Sequence, residues 1–417
     1  MNKKINFKSL SYVLSALFFF YTSYHITISG YFFSNIILIA LLLFFIFLAF
    51  ILNFRIKIEK KIYFYFLISC MIVFLMLFRN KGVFSMIYMI LGVIYFFVLL
   101  FSDKWLKYII PILKIFAFEH IFFTFFFFIF KDFYKMNILP IFIGSSGYLD
   151  LLNQFNHNLV AGFAGNYGSN AIYLSVSFIL FCCESINNKK KINYIMSILC
   201  FTAILITGKR AALVFSILSF LFIILLKNRK NISKKIIQYS ILFTVLILGF
   251  VVAAQFIPQL YVTLNRFFNE TDISNGRFKL YKLAIELFNN NPIFGIGWGN
   301  FKYYSVLQSD YNQLLDVHNN YLQLLCETGI FGFMFFITFV LGTFYKTIKL
   351  IIKFQTEKLN NNLVNLLYIS FGIQSFILLY AFTGNPLYSV ESFYPYMVSC
   401  AIPIVIRVYY KEMFKNE

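Results

Sequence analysis

Arg210, Arg277 and His318 are the residues whose types best suit chemistry on a phosphate group in this chain. A guanidinium is a permanently charged ligand with a planar fork that matches phosphate oxygens. A neutral imidazole can accept a proton near pH 7. Together these groups suit a transfer reaction from a lipid-linked phosphate or diphosphate. The arginines would hold the leaving group, and His318 would deprotonate an attacking hydroxyl.

Each of the three residues also has a simpler interpretation. Lys209 and Arg210, in "TGKRAAL", could snorkel toward water from a helix end. Arg277 could be a solvated helix residue, and His318 could cap a helix or be a satisfied polar residue. The case for chemistry rests on topology, which we expect to place all three at one membrane interface.

The composition predicts an all-α integral membrane protein. Of 417 residues, 60% are hydrophobic and only 12% are charged, and 59 are Phe, which exceeds what a soluble core absorbs. A membrane crossing needs about 20 apolar residues in a helix. Hydropathy predicts about twelve such spans: near 10–29, 34–54, 62–78, 83–101, 106–130, 167–183, 192–207, 210–226, 236–257, 328–352, 362–383 and 391–409.

The net charge of +20 reflects topology rather than nucleic-acid binding. When the first span starts in the cytoplasm, most of the 36 Lys and Arg fall in short inner loops and tails. This positive-inside bias predicts a membrane protein with both termini in the cytoplasm. The chemistry would then take place on the extracytoplasmic side.

Two long segments divide the chain. We expect membrane helices over 1–257 with an outer loop near 131–166, an extracytoplasmic cap over 258–327, and the last helices over 328–417. The cap contains many apolar residues, so it should be folded rather than disordered.

Within the cap, "SNGRFKLYKLAIELFNNNP" predicts a helix that Ser274 or Asn275 caps and that ends before Pro292. Its apolar residues recur at helical spacing: Phe278, Tyr281, Ile285 and Phe288. The next stretch, "PIFGIGWGNF", should form a tight reversal that lets the chain approach another helix. It is not a dinucleotide fingerprint, because the glycine spacing is wrong.

The remaining polar groups leave alternatives open. Lys114, Glu119 and His120 lie within the fifth predicted span, as a structural ion pair or as a proton pathway that a transporter would need. His157 is expected in an outer loop and His25 at a membrane interface. The six cysteines have neither disulfide nor metal-site spacing, and we expect them to be buried apolar residues. The sequence predicts no metal site.

The motifs of the cap resemble those of the bacterial O-antigen polymerase and O-antigen ligase superfamily. They are "GRFKLYKLAIELFNNNPIFGIGWGNF" and "HNNYLQLLCETGIFGF", with support from "TGKRAAL" and "GNYGSNAIYLS" upstream. The matching positions are Arg277, Pro292, Gly295, Gly297, His318, Asn319, Glu327, Gly329 and Gly332.

This resemblance implies a glycosyltransferase of the bacterial cytoplasmic (inner) membrane with the multi-span C-type fold. Such an enzyme uses undecaprenyl-diphosphate-linked glycans and needs neither cofactor nor metal. By motif position, His318 would be the base, and Arg210 and Arg277 the diphosphate ligands. Lys209, Tyr281 and Asn319 would add to substrate binding, Tyr281 because it lies one helical turn beyond Arg277.

The acceptor would decide the activity. A second lipid-linked repeat unit makes the enzyme a polymerase of O-antigen or capsule, which we favour. Lipid A–core as the acceptor makes it a ligase, and a protein Ser or Thr makes it a protein O-oligosaccharyltransferase. A flippase or transporter without bond chemistry is the alternative from another class. Expected partners are the lipid-linked oligosaccharide, membrane lipid, and a chain-length regulator or flippase.

Overall fold

The computed structural model describes residues 83–142, 148–227, 232–256, 260, 261, 264, 277–308, 314–356 and 361–410. Within these ranges the chain is helical and contains no strand, so the all-α prediction is confirmed. The helices of eight or more residues are α1 (Val83–Leu100), α2 (Leu106–Ile129), α3 (Tyr148–Asn156), α4 (Tyr167–Asn188), α5 (Lys191–Thr207), α6 (Arg210–Lys227), α7 (Ile232–Phe256), α8 (Arg277–Asn290), α9 (Phe301–Gln308), α10 (Asn320–Thr356), α11 (Asn361–Tyr380) and α12 (Val390–Tyr409).

Six of these helices, α2, α4, α6, α10, α11 and α12, are long and apolar enough to cross a membrane. The predicted spans near 83–101, 192–207 and 236–257 coincide with α1, α5 and α7, whose apolar parts are shorter. The first three predicted spans lie outside the described residues. The chain is thus a multi-pass membrane protein, and the number twelve stays a prediction.

Helices α4 and α11 form the centre of the described bundle, and each buries most of its length. A Cβ at Gly372 of α11 would come within 2.5 Å of Ile179 in α4 and 2.7 Å of Ile223 in α6. Lipid tails provide no hydrophobic drive for helices to associate, so close packing through small residues holds membrane helices together. Gly372 is one of the points where three spans meet.

Helix α10 is longer than a membrane crossing requires. Its 37 residues measure about 55 Å at the α-helical rise, against about 30 Å of hydrocarbon. The backbone of Gly329 is not helical, with φ 65° and ψ −175°, and divides the helix at a kink. The part before the kink extends toward the segment that contains His318, and the part after it includes the predicted span 328–352.

A tight turn after α8 packs directly on this kink, as the glycine pattern predicts. Gly295, Gly297 and Gly299 all have positive φ angles. Backbone hydrogen bonds run from Gly297 N to Glu327 O (2.8 Å) and from Ile330 N to Pro292 O (2.8 Å). A Cβ at Gly295 would lie 2.4 Å from the Glu327 carbonyl carbon. The two backbones therefore touch without any side chain between them.

The helix predicted in the cap is present as α8, and Pro292 follows its end. Ser274 and Asn275, the predicted caps, lie outside the described residues. The buried face of α8 is not the one whose spacing predicted the helix. Leu280, Leu283, Ala284 and Leu287 are buried, and they pack in a small cluster with Ile296, Phe301, Val317 and Cys326.

We expect Gly329→Ala to lower the apparent melting temperature of the detergent-solubilised protein by several degrees. The new Cβ would meet the Ile293 carbonyl oxygen at 2.3 Å, and a positive φ alone costs a non-glycine residue about 1–3 kcal/mol. Gly299→Ala has the strain (φ 74°) without the contact and should cost less.

Gly342→Ala, also in α10, is the matched control, because no atom lies within 4 Å of its added Cβ. It should leave the melting temperature unchanged or raise it slightly. Equal melting temperatures for Gly329→Ala and Gly342→Ala would contradict the proposed role of the kink.

Candidate functional site

His318 lies in a sharp turn immediately before α10. Its φ of 59° is left-handed, which is uncommon for a residue other than glycine. The next residue, Asn319, caps the helix, because its Oδ1 accepts hydrogen bonds from Tyr321 N and Leu322 N, both at 3.1 Å. The cap fixes where α10 begins and hence where the His318 ring stands.

A buried amide fixes the chain on the other side of His318. Gln323 Oε1 accepts from Val317 N at 3.1 Å, and Gln323 Nε2 donates to Asp316 Oδ1 at 3.1 Å and to Glu327 Oε1 at 3.3 Å. Gln323 thus joins the segment before His318 to the first turns of α10. A planar amide fully engaged in this way restricts the His318 turn to one conformation.

The Glu327 carboxylate joins the same helix to the glycine turn. It accepts from Gly299 N at 2.8 Å and from Phe301 N at 3.1 Å, at the start of α9. Carboxylates that accept backbone N–H groups at a helix start satisfy donors that the helix itself leaves unpaired. The glutamate of the Glu-x-Gly motif is therefore a clamp between α10 and α9.

Helix α8 brings Arg277 and Tyr281 to the His318 turn. Arg277 Nη1 donates to the Thr383 carbonyl at 3.2 Å, and the Tyr281 hydroxyl donates to the His318 carbonyl at 3.4 Å. The first contact ties α8 to the loop between α11 and α12, and the second ties it to the start of α10. The predicted binding residue Tyr281 thus contacts the His318 backbone.

The loop between α11 and α12, residues 381–389, is bound to α10 from the opposite side. Asn320 N donates to Ala381 O at 2.8 Å, and Asn320 Oδ1 accepts from Leu387 N at 3.0 Å. Trp298 of the glycine turn stacks on Tyr388 with ring centroids 4.3 Å apart. Three segments far apart in sequence therefore meet around His318.

Lys209 approaches from the turn between α5 and α6. Its ammonium lies 5.0 Å from the centre of the Tyr167 ring and is hydrogen-bonded to Tyr380. Tyr380 raises the pKa of Lys209 most, and Tyr167 adds to this, whereas burial and the charge of Arg277 oppose the rise. Lys209 therefore stays charged at neutral pH and is close enough to Arg277 for the two cations to repel.

The same charges act on His318. Burial lowers the pKa of His318 most, Arg277 and Lys209 lower it further, and Asp316 opposes them. The imidazole is therefore neutral at pH 7, the form that can accept a proton. Of the three residues predicted from topology to converge, Arg277 and His318 are near each other, and Lys209 is the further cation whose charge acts on His318.

Arg210 is the first residue of α6, one position beyond Lys209. The upstream cation whose charge acts on His318 is Lys209 rather than Arg210, so the diphosphate-binding role of Arg210 stays a prediction. Asn319 has its side-chain oxygen engaged in the helix cap. The helix cap holds Asn319 beside His318, and the hydrogen bond to the His318 carbonyl holds Tyr281 there. Their role in substrate binding stays a prediction.

The intramembrane polar residues are held by other spans. Lys114 pairs with Glu184 of α4 at 2.5 Å, and His120 Nδ1 lies 3.2 Å from Asn170 Oδ1. The His120 ring also packs between Phe116 and Tyr173. These contacts join α2 to α4, as the structural alternative in the sequence predicts, and Lys114 reaches Glu184 rather than Glu119.

His157 is exposed in the loop after α3, and His25 lies outside the described residues. The five described cysteines are buried and unpaired, as predicted. Over the described ranges, no three His, Cys, Asp or Glu side chains are grouped so that they could hold a metal ion.

Sequence reasoning missed Tyr380 and Tyr167 beside Lys209, and Gln323 behind His318. Tyr380 ends a span in "LLYAFTGNP", where a tyrosine is typical of any membrane interface. Gln323 lies four residues from Glu327 on α10, a spacing that indicated a shared helix face once the helix start was known. Nothing in the local pattern pointed to Tyr167.

Comparison with known proteins supports the interpretation of the motifs. The O-antigen ligase family model matches residues 195–337, which include Lys209, Arg277 and His318. The teichuronic acid biosynthesis protein TuaE of Bacillus subtilis (strain 168) is 26% identical over 227 residues, covering 50% of this chain. The match spans about half, 46%, of the length of that relative.

The family match includes the segment in which the glycine turn, the Glu327 clamp and the His318 turn occur. The family match over residues 195–337 and the similarity to this relative thereby confirm the resemblance of the motifs to the O-antigen ligase and polymerase superfamily.

Proposed function

We propose that this enzyme of surface polysaccharide biosynthesis is a polymerase that transfers an undecaprenyl-diphosphate-linked glycan onto a lipid-linked repeat unit. The reaction inverts the anomeric centre and proceeds without a metal. The proposal rests on the family match, on the relative named for teichuronic acid biosynthesis, and on the arrangement of His318, Arg277 and Lys209.

The observation that best supports this chemistry is that the charges of two cations, Arg277 and Lys209, act on the His318 imidazole. Arg277 and Lys209 both lie close enough to His318 to lower its pKa. The two cations also repel each other. A protein that brings such groups together away from bulk water gains from an anion between them. The diphosphate of a lipid-linked sugar fits this requirement.

In the proposed reaction, a hydroxyl of the acceptor sugar attacks the anomeric carbon of the donor. His318 takes the hydroxyl proton as the new C–O bond forms. The bond from the anomeric carbon to the diphosphate oxygen breaks, and undecaprenyl diphosphate leaves with the electron pair. Arg277 and Lys209 stabilise the charge that develops on the leaving oxygen, and Arg210 adds a third cation if its side chain reaches the diphosphate.

The comparisons give some support to each of two acceptors, a lipid-linked repeat unit and lipid A–core. The relative is named for making teichuronic acid, which favours polymerisation, whereas the family model is described as an O-antigen ligase, which favours transfer to lipid A–core. We retain the polymerase as the proposal and the ligase as the second candidate. A protein O-oligosaccharyltransferase would share the same donor chemistry.

We expect His318→Ala to reduce glycan transfer by about 10²- to 10⁴-fold, the usual loss on removing a general base. The measurement is the rate of polymer formation from purified lipid-linked repeat units by the enzyme in nanodiscs. His157→Ala is the matched control, because His157 is exposed in the loop after α3 and should keep the parental rate. Full activity in His318→Ala would remove the base from the mechanism.

The pH dependence should follow the charges around His318. The base works when neutral, so kcat/KM should rise with pH and level off once the pH exceeds the pKa of His318, which burial and Arg277 hold below 6.5. Asp316→Asn removes a charge that raises the pKa of His318, so its acid limb should move to lower pH. Arg277→Gln should move the limb to higher pH, at a reduced maximum rate.

Glu286→Gln is the control for these profiles, because Glu286 is an exposed carboxylate on α8 that is not among the groups acting on His318. Its limb should coincide with that of the parent. If Asp316→Asn and Arg277→Gln also left the limb in place, His318 would not be the titrating group.

Deletion of the gene in its source bacterium should separate the candidate functions. Loss of the size ladder, with single repeat units on the final anchor, is expected of a polymerase. Long polymer left on undecaprenyl diphosphate would replace the polymerase with the ligase. Single units trapped on the cytoplasmic face would indicate a flippase and contradict any bond chemistry. Electrophoresis of the surface and lipid-linked glycans distinguishes these outcomes.

A further inference from the structure

Helix α8 has three faces, whereas a helix on a soluble surface usually has two. One face is buried against the start of α10, through Leu280, Leu283, Ala284 and Leu287. A second face is polar and exposed; its residues are Lys279, Lys282, Glu286, Asn289 and Asn290. The third face is apolar and is exposed at Phe278 and Ile285, whereas Tyr281 and Phe288 at its edge are partly buried and pack against the cluster at the start of α10.

The uncovered apolar face is substantial. Phe278 is 72% exposed and Ile285 48% exposed, and the two side chains lie two helical turns apart on one side of α8. Exposing a phenylalanine and an isoleucine on the same side of a helix to water is unfavourable, because neither side chain removes its apolar area from water. A contiguous apolar face of this kind marks a surface that meets something apolar.

This face continues into the apolar side of a spanning helix. Ile293 and Phe294 follow α8 and are exposed, and the Phe294 ring packs on the ring of Phe331 with centroids 5.7 Å apart. Ile330, Phe331 and Met334 are exposed on α10 just beyond the kink, where the span begins. Exposed apolar residues of a spanning helix meet lipid tails, so the surface of α8 joins one that already faces the bilayer.

We propose that α8 lies in the membrane interface, with Phe278 and Ile285 inserted among the lipid tails and Lys279 and Glu286 in the water. The occupant of the apolar face is the lipid bilayer itself. A helix with phenylalanine on one side and lysine on the other is typical of segments that lie parallel to the membrane at the boundary between head groups and tails. The two lysines on the polar face, against one glutamate, also favour anionic head groups.

This placement extends the proposed function, on which the following consequence rests. Arg277 is the first residue of α8 and is hydrogen-bonded to the loop at Thr383. A helix held in the interface keeps Arg277, and with it the cation pair, at the depth of lipid head groups. The diphosphate of a polyprenyl lipid lies at this depth, so the donor would enter the site sideways from the bilayer without leaving it.

Tryptophan scanning tests the placement without an activity assay. The variants are Phe278→Trp and Ile285→Trp on the apolar face, with Lys279→Trp and Glu286→Trp as matched controls on the polar face. Each protein is reconstituted in nanodiscs of phosphatidylcholine and phosphatidylglycerol, with and without dibrominated acyl chains. Quenching by the brominated lipid and by aqueous iodide is measured against the parent chain, whose Trp105 and Trp298 are buried.

We expect the added fluorescence of Phe278→Trp and Ile285→Trp to be quenched several-fold more by brominated lipid than by iodide. Lys279→Trp and Glu286→Trp should show the reverse order. Quenching of the apolar-face variants by iodide would place that face in water and overturn the proposal. Quenching by neither agent would show that protein covers it, from another segment of the chain or a second copy, and would overturn the proposal equally.

A wrong position for α8 and a wrong proposed function would give different results. A negative quenching result leaves the roles of His318 and Arg277 untouched, because those roles are measured by rates and pH profiles. If the enzyme transferred no glycan from the lipid-linked donor but the tryptophan variants gave the expected quenching, the proposed function would be contradicted. The position of α8 in the interface would still hold.

Discussion

The approach of two backbones, between the turn after α8 and the kink in α10, is the constraint on which the rest of the described site depends. Gly295 and Gly329 face carbonyl groups of the opposite segment so closely that neither position has room for a Cβ. The Glu327 carboxylate holds the same turn through Gly299 N and Phe301 N. Helices α8, α9 and the first turns of α10 are therefore one unit.

That unit determines the geometry of the chemistry-bearing groups. Arg277 begins α8, and His318 lies in the turn before α10, so their separation depends on how the two helices cross. Two hydrogen bonds hold α8 in place. Tyr281 binds the His318 carbonyl before α10, and Arg277 binds the Thr383 carbonyl in the loop between the last two spans. The glycines of P-x-x-G-x-G and E-x-G allow this close crossing, and the glutamate holds it. These motif residues therefore have a structural role rather than a chemical one.

The sequence predicted the elements with regular patterns and missed those set by tertiary contacts. Apolar runs located the described spans, because a helix that crosses the hydrocarbon must be predominantly apolar along its length. The helix at Arg277 was also predictable, but its buried face was not. Helix α8 has two apolar stripes, and in the one with larger side chains Phe278 and Ile285 are exposed while Tyr281 and Phe288 are only partly buried. Lys209 and Tyr380 meet across separate spans, and local sequence contains no signal of that contact.

The polar residues within the spans show how much of the membrane domain is architecture. The Glu184 carboxylate receives both Lys114 of α2 and Asn365 of α11, so one buried acid joins three helices. Near the other end of α4, Asn170 contacts His120 and Thr124 of α2 and the Val160 carbonyl in the loop before α4. Buried polar groups that are hydrogen-bonded in this way fix the position of each helix along its neighbours, which apolar contacts alone would not do.

The left-handed backbone at His318 has a consequence for how this position can vary. Asparagine, aspartate and glycine enter that region most readily, and β-branched residues scarcely at all. A chain that lost the imidazole while keeping the turn would be restricted to that small set of replacements. The conformation required by the start of α10 thus limits the evolutionary routes away from histidine, independently of any selection on the reaction.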